Sequence, residues 1–487
     1  MNKKLIYFLS GITAFRLLYA MILPIAPQEA YYWNYSRHPA LSYFDHPPLA
    51  AYLIKLTTLL GSSAFTVHLA AIILSVLMSL AIYRLAELIF DSETAFWSVV
   101  TINLAFIYAL GGVVITPDAP MMLFWVMTMI ACYYIAIGGG IVWWMLLGIF
   151  LGAGFVGKYP MVFAGFGAFL FFLFSKERVK VFARPGPYIA LISAFIVVLP
   201  VLYWNYQNDW ASFLFQSQRR AGEMSEFRPD FFFGFIGTII GIYGILPVPL
   251  LVCGIVDSVK NAFREKNMKL SLLIWFSIPL VIFLFPVAAR SWVKMNWTAP
   301  AFIGWFIAGT AYYHKYSPSR RWVRVWGKIS VMFLAMSFLA IHAVFILPGV
   351  YLGKGDYTVG WEELAAEVNS IRKEMPEPYF ICGYEYKTAS LLAFYLDDHP
   401  ETVGNNIVGR PGLQYDFWAD PDTLIGYNGI FVYDDRVKYR TPERLSELFE
   451  SVAPEKILTV KKGGKKLTDF HIFRCYGYLG SKEEVNK

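Results

Sequence analysis

Charge is scarce in this 487-residue chain: Asp, Glu, Lys and Arg together make up 16% of it, against about 25% in a typical soluble domain. So few charges cannot solvate the surface of a 55.5 kDa water-soluble globule, and that class is excluded. Cysteine is scarcer. Cys132, Cys253, Cys382 and Cys475 are the full set and form no C-x-x-C pair, which excludes a zinc knot and a dense disulfide framework. Histidine numbers seven and no dedicated ligand cluster is visible, so neither a metal site nor a cofactor is assigned, and dependence on a divalent ion stays open. No Asp-x-Asp motif accompanies a cytosolic soluble segment, so no nucleotide-sugar site is expected. Apolar residues dominate instead: 57% of the chain is hydrophobic, 18% aromatic, and the mean hydropathy is +0.48. Apolar runs repeatedly exceed about 18 residues, the length that spans a bilayer.

The chain therefore reads as a polytopic α-helical membrane protein. Its first apolar run, Leu5 to about Leu23, follows Lys3-Lys4 and leads to no small-x-small cleavage site, so it reads as a first helix rather than a signal peptide. Further spans are expected near 66–90, 95–115, 119–137, 141–157, 160–175, 187–206, 231–256, 270–288, 297–314 and 327–348, giving about eleven transmembrane helices. Loop charge tests this count independently. Lys176, Arg178, Lys180 and Arg184 fall in one predicted cytoplasmic loop, Lys260, Arg264, Lys266 and Lys269 in a second, and Lys315, Arg320, Arg321, Arg324 and Lys328 in a third, as the positive-inside rule requires. The amino terminus is then cytoplasmic and the carboxy-terminal tail lies on the opposite, trans side. The net charge of +7 belongs to membrane orientation and calls for no nucleic-acid partner.

Two trans segments are too long to be turns. Residues 26–65 hold Gln28-Glu29-Ala30-Tyr31-Tyr32-Trp33 and a half-length apolar piece, Leu49–Leu60, suited to a helix lying in the interface. Residues 349–487 shift to a water-soluble composition. Trp361–Lys373 and Thr441–Val452 read as amphipathic helices, and Tyr379–Cys382, Gly429–Tyr433 and Lys456–Val460 as strands. Residues 1–348 thus form a membrane domain and 349–487 a small α/β domain. Cys382 and Cys475 both fall in that tail, where an oxidising compartment permits either a disulfide or two free thiols.

Ionisable groups at the trans ends of spans are costly unless paired, hydrated or used. The acids are Glu29, Asp45 and Asp118; the bases include Arg37, Lys158, Arg219, Arg220, Arg228, Arg290 and Lys294. Each has an ordinary reading beside a functional one. Glu29 could be a solvated carboxylate in an aromatic belt, Asp45 and Asp118 helix caps, Lys158 a snorkelling helix end, and Arg290 and Lys294 salt-bridge partners of the tail. If these groups converge, they suit a reaction in which an acid takes a proton from a hydroxyl while cations hold a phosphate leaving group.

In order and topology, a set of motifs resembles the PMT-type, GT-C-fold family of polyprenyl-phosphate-sugar glycosyltransferases, in particular its bacterial branch of lipid A aminoarabinose and galacturonic acid transferases. The motifs are Gln28-Glu29-Ala30-Tyr31-Tyr32-Trp33, Tyr43-Phe44-Asp45-His46-Pro47-Pro48-Leu49, Thr116-Pro117-Asp118-Ala119-Pro120, Gly157-Lys158-Tyr159, Trp204-Asn205 with Trp210-Ala211-Ser212-Phe213, and Asn296-Trp297-Thr298-Ala299-Pro300. Tyr384-Glu385-Tyr386-Lys387-Thr388-Ala389 and Arg410-Pro411-Gly412-Leu413-Gln414-Tyr415-Asp416 extend the match into the tail. Where the family carries an Asp-Glu pair in its first trans loop, this chain has Gln28-Glu29. The resemblance implies Glu29 as base, with Asp45 as its rival, and Asp118 as second acid. Donor phosphate falls to His46, Lys158 and Arg219 or Arg220, and Tyr32, Tyr43, Arg290, Lys294, Asn296 and Trp297 are substrate-cleft candidates. The implied protein sits in a bacterial inner membrane with its tail in the periplasm. It would move a sugar from a polyprenyl-phosphate donor to an envelope glycolipid such as lipid A, with inversion. A protein O-glycosyltransferase of the same fold is one alternative, and a transporter or flippase of lipid-linked sugars is another from a different class.

Overall fold

Apolar length and proline placement set the helices of the computed structural model, which describes residues 2–222, 226–436 and 444–480. Among the described residues five helices are long and apolar enough to cross a membrane: Ala64–Ile89, Asp118–Ala136, Gly186–Gln207, Met268–Ala288 and Arg321–Ile346. Other expected spans fold as helices that are shorter, more charged or less apolar, including Lys3–Ala20, Ser92–Leu104, Ile141–Gly157 and Ala299–Tyr316. Length and apolarity alone therefore mark five crossings, or six with a bent pair, fewer than the eleven expected.

The bent pair corrects the single span expected over 231–256. Pro229–Tyr243 and Pro247–Arg264 meet at 99°. Gly244 sits between them at φ +90°, a left-handed conformation that glycine alone adopts freely, and Pro247 starts the second helix where no amide hydrogen is needed. Elsewhere small residues bring helices together. A Cβ on Gly148 would lie 2.1 Å from the Ala190 carbonyl oxygen and one on Gly152 2.7 Å from Val197 Cβ. This small-xxx-small stripe is what seats Ile141–Gly157 against Gly186–Gln207.

Within residues 26–65 the chain folds as Pro27–Arg37 and Leu49–Thr57. The tail forms a six-stranded sheet: β1 (Tyr379–Gly383), β2 (Thr402–Val403), β3 (Asn428–Asp434), β4 (Phe449–Val452), β5 (Lys456–Lys462) and β6 (Lys465–Tyr478). The order is β2-β1-β3-β6-β4, with β5 also on β6; β1 runs parallel to β2 and β3, and the β6 pairings are antiparallel. Helix Trp361–Glu374 covers it through Trp361, Leu364, Ala365, Val368 and Ile371, a spacing that keeps one helical face apolar.

The helix expected over Thr441–Val452 is not formed. Leu445–Leu448 makes a single turn and the chain then enters β4, because Phe449 packs on Phe380 and Tyr478 while its backbone pairs with β6; tertiary pairing overrides local propensity. Residues 441–443 lie outside the described residues. Cys382 and Cys475 are free, buried thiols, and burial raises both, Cys475 to about 12.

The tail sits directly on helix Pro27–Arg37. Tyr31 meets Tyr386 with ring centres 4.7 Å apart, Trp33 meets Phe394 at 4.9 Å, and Asn34 Nδ2 donates to Tyr415 Oη at 3.1 Å.

Candidate active site

Helix Pro27–Arg37 is polar and aromatic, yet residues 29–36 are all buried, so each polar atom needs a partner. Glu29 Oε2 accepts the Ala26 N–H at 3.0 Å. Its Oε1 accepts the Ile115 N–H at 2.8 Å and lies 2.9 Å from His68 Nδ1. The other ring nitrogen, Nε2, lies 3.2 Å from the Leu23 carbonyl oxygen. Both nitrogens thus face acceptors, and an imidazole donates from both only when it is protonated. Glu29 and His68 form a sealed ion pair, both side chains at 0% exposure. It ties the end of the first helix, the start of the second, helix Ala64–Ile89 and the irregular segment before Asp118 into one knot.

Asp45 occupies the extended turn ahead of Pro47-Pro48. Its Oδ1 accepts from Tyr31 Oη at 3.0 Å and from Tyr35 Oη, and His46 Nε2 stands 4.0 Å from Oδ2. Asp45 is no helix cap, since Leu49–Thr57 begins at Pro48 without a side-chain bond. Burial pushes its carboxyl above the ordinary carboxylate value, against the pull of the two phenols and of Lys294. Burial and the Asp45 charge hold both phenols well above their ordinary value, so they remain donors. Helix Ala211–Gly222 braces this turn: Ser212 Oγ donates to the Tyr43 carbonyl oxygen at 2.8 Å and Gln216 Nε2 to that of Asp45 at 2.9 Å. Ser212 and Gln216 are four residues apart, on one helical face.

Asp118 opens helix Asp118–Ala136 with no capping bond from its side chain. Its Oδ2 instead accepts from Lys158 Nζ and Asn296 Nδ2, both at 2.7 Å. Gly157 eases this reach: a Cβ there would lie 3.1 Å from the Met121 nitrogen, so glycine lets the end of Ile141–Gly157 close tightly on the start of Asp118–Ala136. Lys158 is buried and paired rather than snorkelling.

The structure therefore brings together groups from widely separated loops. Ile115, held by Glu29, is three residues from Asp118, and buried Tyr32 feels the charges of both Asp45 and Asp118 while its ring lies 5.8 Å from that of His46. Asn296 joins directly, Lys294 electrostatically; Lys294 and Arg290 are exposed and Trp297 is half-buried. Tyr43 does not line an opening: it is fully enclosed, its hydroxyl 2.8 and 3.0 Å from the carbonyl oxygens of Tyr35 and His38. The side chains of Arg219 and Arg220 lie outside the described residues. His68, Tyr31, Tyr35 and Gln414 enter the site without having been singled out from the sequence. A lone histidine in a 26-residue apolar helix was the available signal for the first. Among the described residues, the set of three that could hold a metal ion is Asp435, Asp469 and His471, on the tail sheet rather than here.

Residues 45–204, the stretch containing Asp45, Asp118 and Lys158, match the family model described as dolichyl-phosphate-mannose-protein mannosyltransferase. The chain is 26% identical over 297 residues to the lipid A galacturonosyltransferase RgtD of Rhizobium johnstonii, an alignment covering 58% of each; it thus spans well under two thirds of that relative. ArnT from Cupriavidus metallidurans, solved in the apo state and bound to undecaprenyl phosphate, superposes with a TM-score of 0.68 at 14% identity, covering 96% of this chain and 97% of that one. The archaeal oligosaccharyltransferase AglB from Archaeoglobus fulgidus, in complex with an inhibitory peptide and a dolichol-phosphate, gives 0.52 at 13% identity over 88% and 69%. At such identities the structural matches establish the fold. Over residues 45–204 the chain is similar to the mannosyltransferase family, and it shares the fold of ArnT.

Proposed function

We propose that the chain moves a sugar from a polyprenyl-phosphate donor to a hydroxyl of an envelope glycolipid of the lipid A type, by a single inverting displacement. The observation that carries this reading is that buried Tyr32 feels the charges of both Asp45 and Asp118, the second of which holds Lys158 and Asn296. The donor class is supported by ArnT bound to undecaprenyl phosphate and AglB with dolichol-phosphate, the acceptor class by RgtD, a lipid A galacturonosyltransferase.

In the proposed step the acceptor oxygen bonds to the anomeric carbon as the bond from that carbon to the phosphate oxygen breaks. The acceptor proton passes to Asp45, and the polyprenyl phosphate leaves with the electron pair. Lys158 meets the charge that grows on the phosphate, and so acts mainly in the transition state. Asp118 and Asn296 hold that ammonium in place. His46 and Arg219 or Arg220 complete the phosphate site; positions 219 and 220 follow Gln216 by three and four residues, the repeat of a helical face. Tyr32, Arg290, Lys294 and Trp297 border the cleft. Glu29, with both oxygens committed and no exposed surface, positions the Asp118 segment and leaves the base role to Asp45. We place the protein in a bacterial inner membrane with about eleven spans in residues 1–348, its amino terminus in the cytoplasm, and residues 349–487 as a periplasmic domain beside the cleft.

Purified protein incubated with a panel of polyprenyl-phosphate sugars and envelope lipids, followed by mass spectrometry, tests this. A glycolipid gaining one sugar is the expected product. Sugar on protein acceptors instead marks a protein O-glycosyltransferase, and movement of lipid-linked sugar across vesicles without transfer marks a flippase.

A further inference from the structure

Asp45 is held from two sides, and one side belongs to the tail. We propose that Gln414, carried by the C-terminal sheet module, is a positioning residue for Asp45, so that the tail is part of the catalytic apparatus. This rests on the assignment of Asp45 as base.

Gln414 is buried at 3% exposure and makes two bonds into the first trans segment. Its side-chain Oε1 accepts the Phe44 N–H at 2.7 Å, fixing the peptide that leads into Asp45. Its backbone N–H donates to Tyr31 Oη at 3.1 Å, and Tyr31 donates to Asp45 Oδ1 at 3.0 Å. A phenol has one proton. With its oxygen already accepting from Gln414, that proton is directed to the carboxylate, and each bond polarises the next.

The loop that presents Gln414 is built for this rather than merely covering the surface. Leu413 has φ +58°, a left-handed conformation that a branched side chain rarely adopts. Asp416 Oδ1 accepts the Gly412 N–H at 2.8 Å and closes the turn, and Arg410 Nη1 reaches Tyr384 Oη at 2.9 Å. Phe417 then clamps the joint, its ring 5.3 Å from that of Phe44 and 5.6 Å from Trp204. A left-handed residue kept in a turn closed by Asp416, next to the neighbour of a candidate base, has no use in a tail that only tethers.

The test uses the full chain in lipid nanodiscs, with Gln414→Leu and Gln414→Glu. Leucine keeps volume and removes the acceptor, orphaning the Phe44 N–H; glutamate keeps an acceptor and adds a charge beside the Asp45 segment. Hydrogen exchange over residues 42–48 should lose protection in Q414L and keep it in Q414E. In Q414L kcat should fall about tenfold or more with donor KM little changed, and in Q414E the acid limb of the pH profile should move to higher pH, since a second carboxylate raises the first. A merely structural contact moves neither the limb nor kcat per folded molecule. Exchange and kcat in Q414L matching the parent overturn the proposal; if Q414L does not fold, an unmoved acid limb in Q414E overturns it. Full transfer by Asp45→Asn overturns the assignment of the base itself, and is read separately from the exchange result.

Discussion

Glu29→Gln replaces one oxygen with an amino group at a place where three donors converge. The Ala26 and Ile115 amides and His68 Nδ1 point at the two carboxylate oxygens. An amide offers a single acceptor oxygen. Whichever way it turns, its NH2 faces another donor, and at least one buried N–H is orphaned at a cost of about 1–3 kcal/mol. The His68 ring also loses its counter-charge. It must either stay charged without a partner or shed a proton and abandon one of its two bonds, and breaking a buried pair from one side costs about 3–5 kcal/mol. We therefore expect E29Q to be destabilised by about 3–5 kcal/mol, seen as a fall of the apparent melting midpoint by several degrees. Three of the four cysteines, Cys132, Cys382 and Cys475, are buried and free, so a thiol-reactive dye reports unfolding directly. Adding His68→Phe to E29Q should restore part of the loss, since the charge and its donors leave together. E29Q that melts like the parent yet transfers no sugar refutes the knot and makes Glu29 a group that touches substrate.

Asp45→Asn should abolish transfer while donor binding persists; in the parent, because burial raises this carboxyl and a base must be ionised, activity should fall with acid at a pH above the ordinary carboxylate range, read from kcat against pH. Lys158→Met should weaken use of the lipid donor about tenfold or more, and Gly157→Val, whose Cβ would press on the Met121 amide, should mimic it at a cost of about 1–3 kcal/mol in stability; donor titration and melting read these two. In the tail, burial pushes Asp356 up, but Lys462 Nζ at 2.8 Å and Thr358 outweigh it and the net value lies below 3.8. Its stabilisation is thus complete above that ordinary value and is lost as pH falls through the depressed one. Hydrogen exchange of β5 and β6 should stay flat from neutral pH to about 4 and rise below it, whereas Asp356→Asn should exchange faster already at neutral pH.

Helix positions were legible because apolar length is a local property: Leu5, 66–90 and 187–206 all mark helices that form. The bend between Tyr243 and Pro247 was not, since Gly244 and Pro247 sit inside a run whose hydropathy is continuous. Strand β6 was hidden by the charges scattered along it, Lys465, Lys466, Asp469 and Arg474. For the site, Glu29, Asp45, Asp118 and Lys158 could be named because charge is rare at a membrane boundary. Their partners could not. His68 is 39 residues from Glu29 and Gln414 is 370 from Phe44, and a histidine or a glutamine carries no mark of the contact until the chain has folded.

Three acids, three kinds of partner: this difference assigns their chemistry better than position does. Glu29 faces a charged imidazole and two amides, so a proton arriving on it would break an ion pair sealed from water. Asp118 faces an ammonium at 2.7 Å, and protonating it would release the cation proposed to meet the leaving phosphate. Asp45 faces two phenols, neutral donors that steady a carboxylate without cancelling its charge, and burial makes that charge costly. A base must be the group for which gaining a proton is the least disruptive, and near the operating pH the most favourable. In the proposed reaction Asp45 is that group. The same comparison orders the phenotypes: loss of Glu29 acts on stability, loss of Asp118 on donor use through a displaced Lys158, and loss of Asp45 on the chemical step alone. A variant of Asp118 with normal donor KM and a defect confined to kcat would break this order, because it would mean the acid works on the proton and not on the cation beside it.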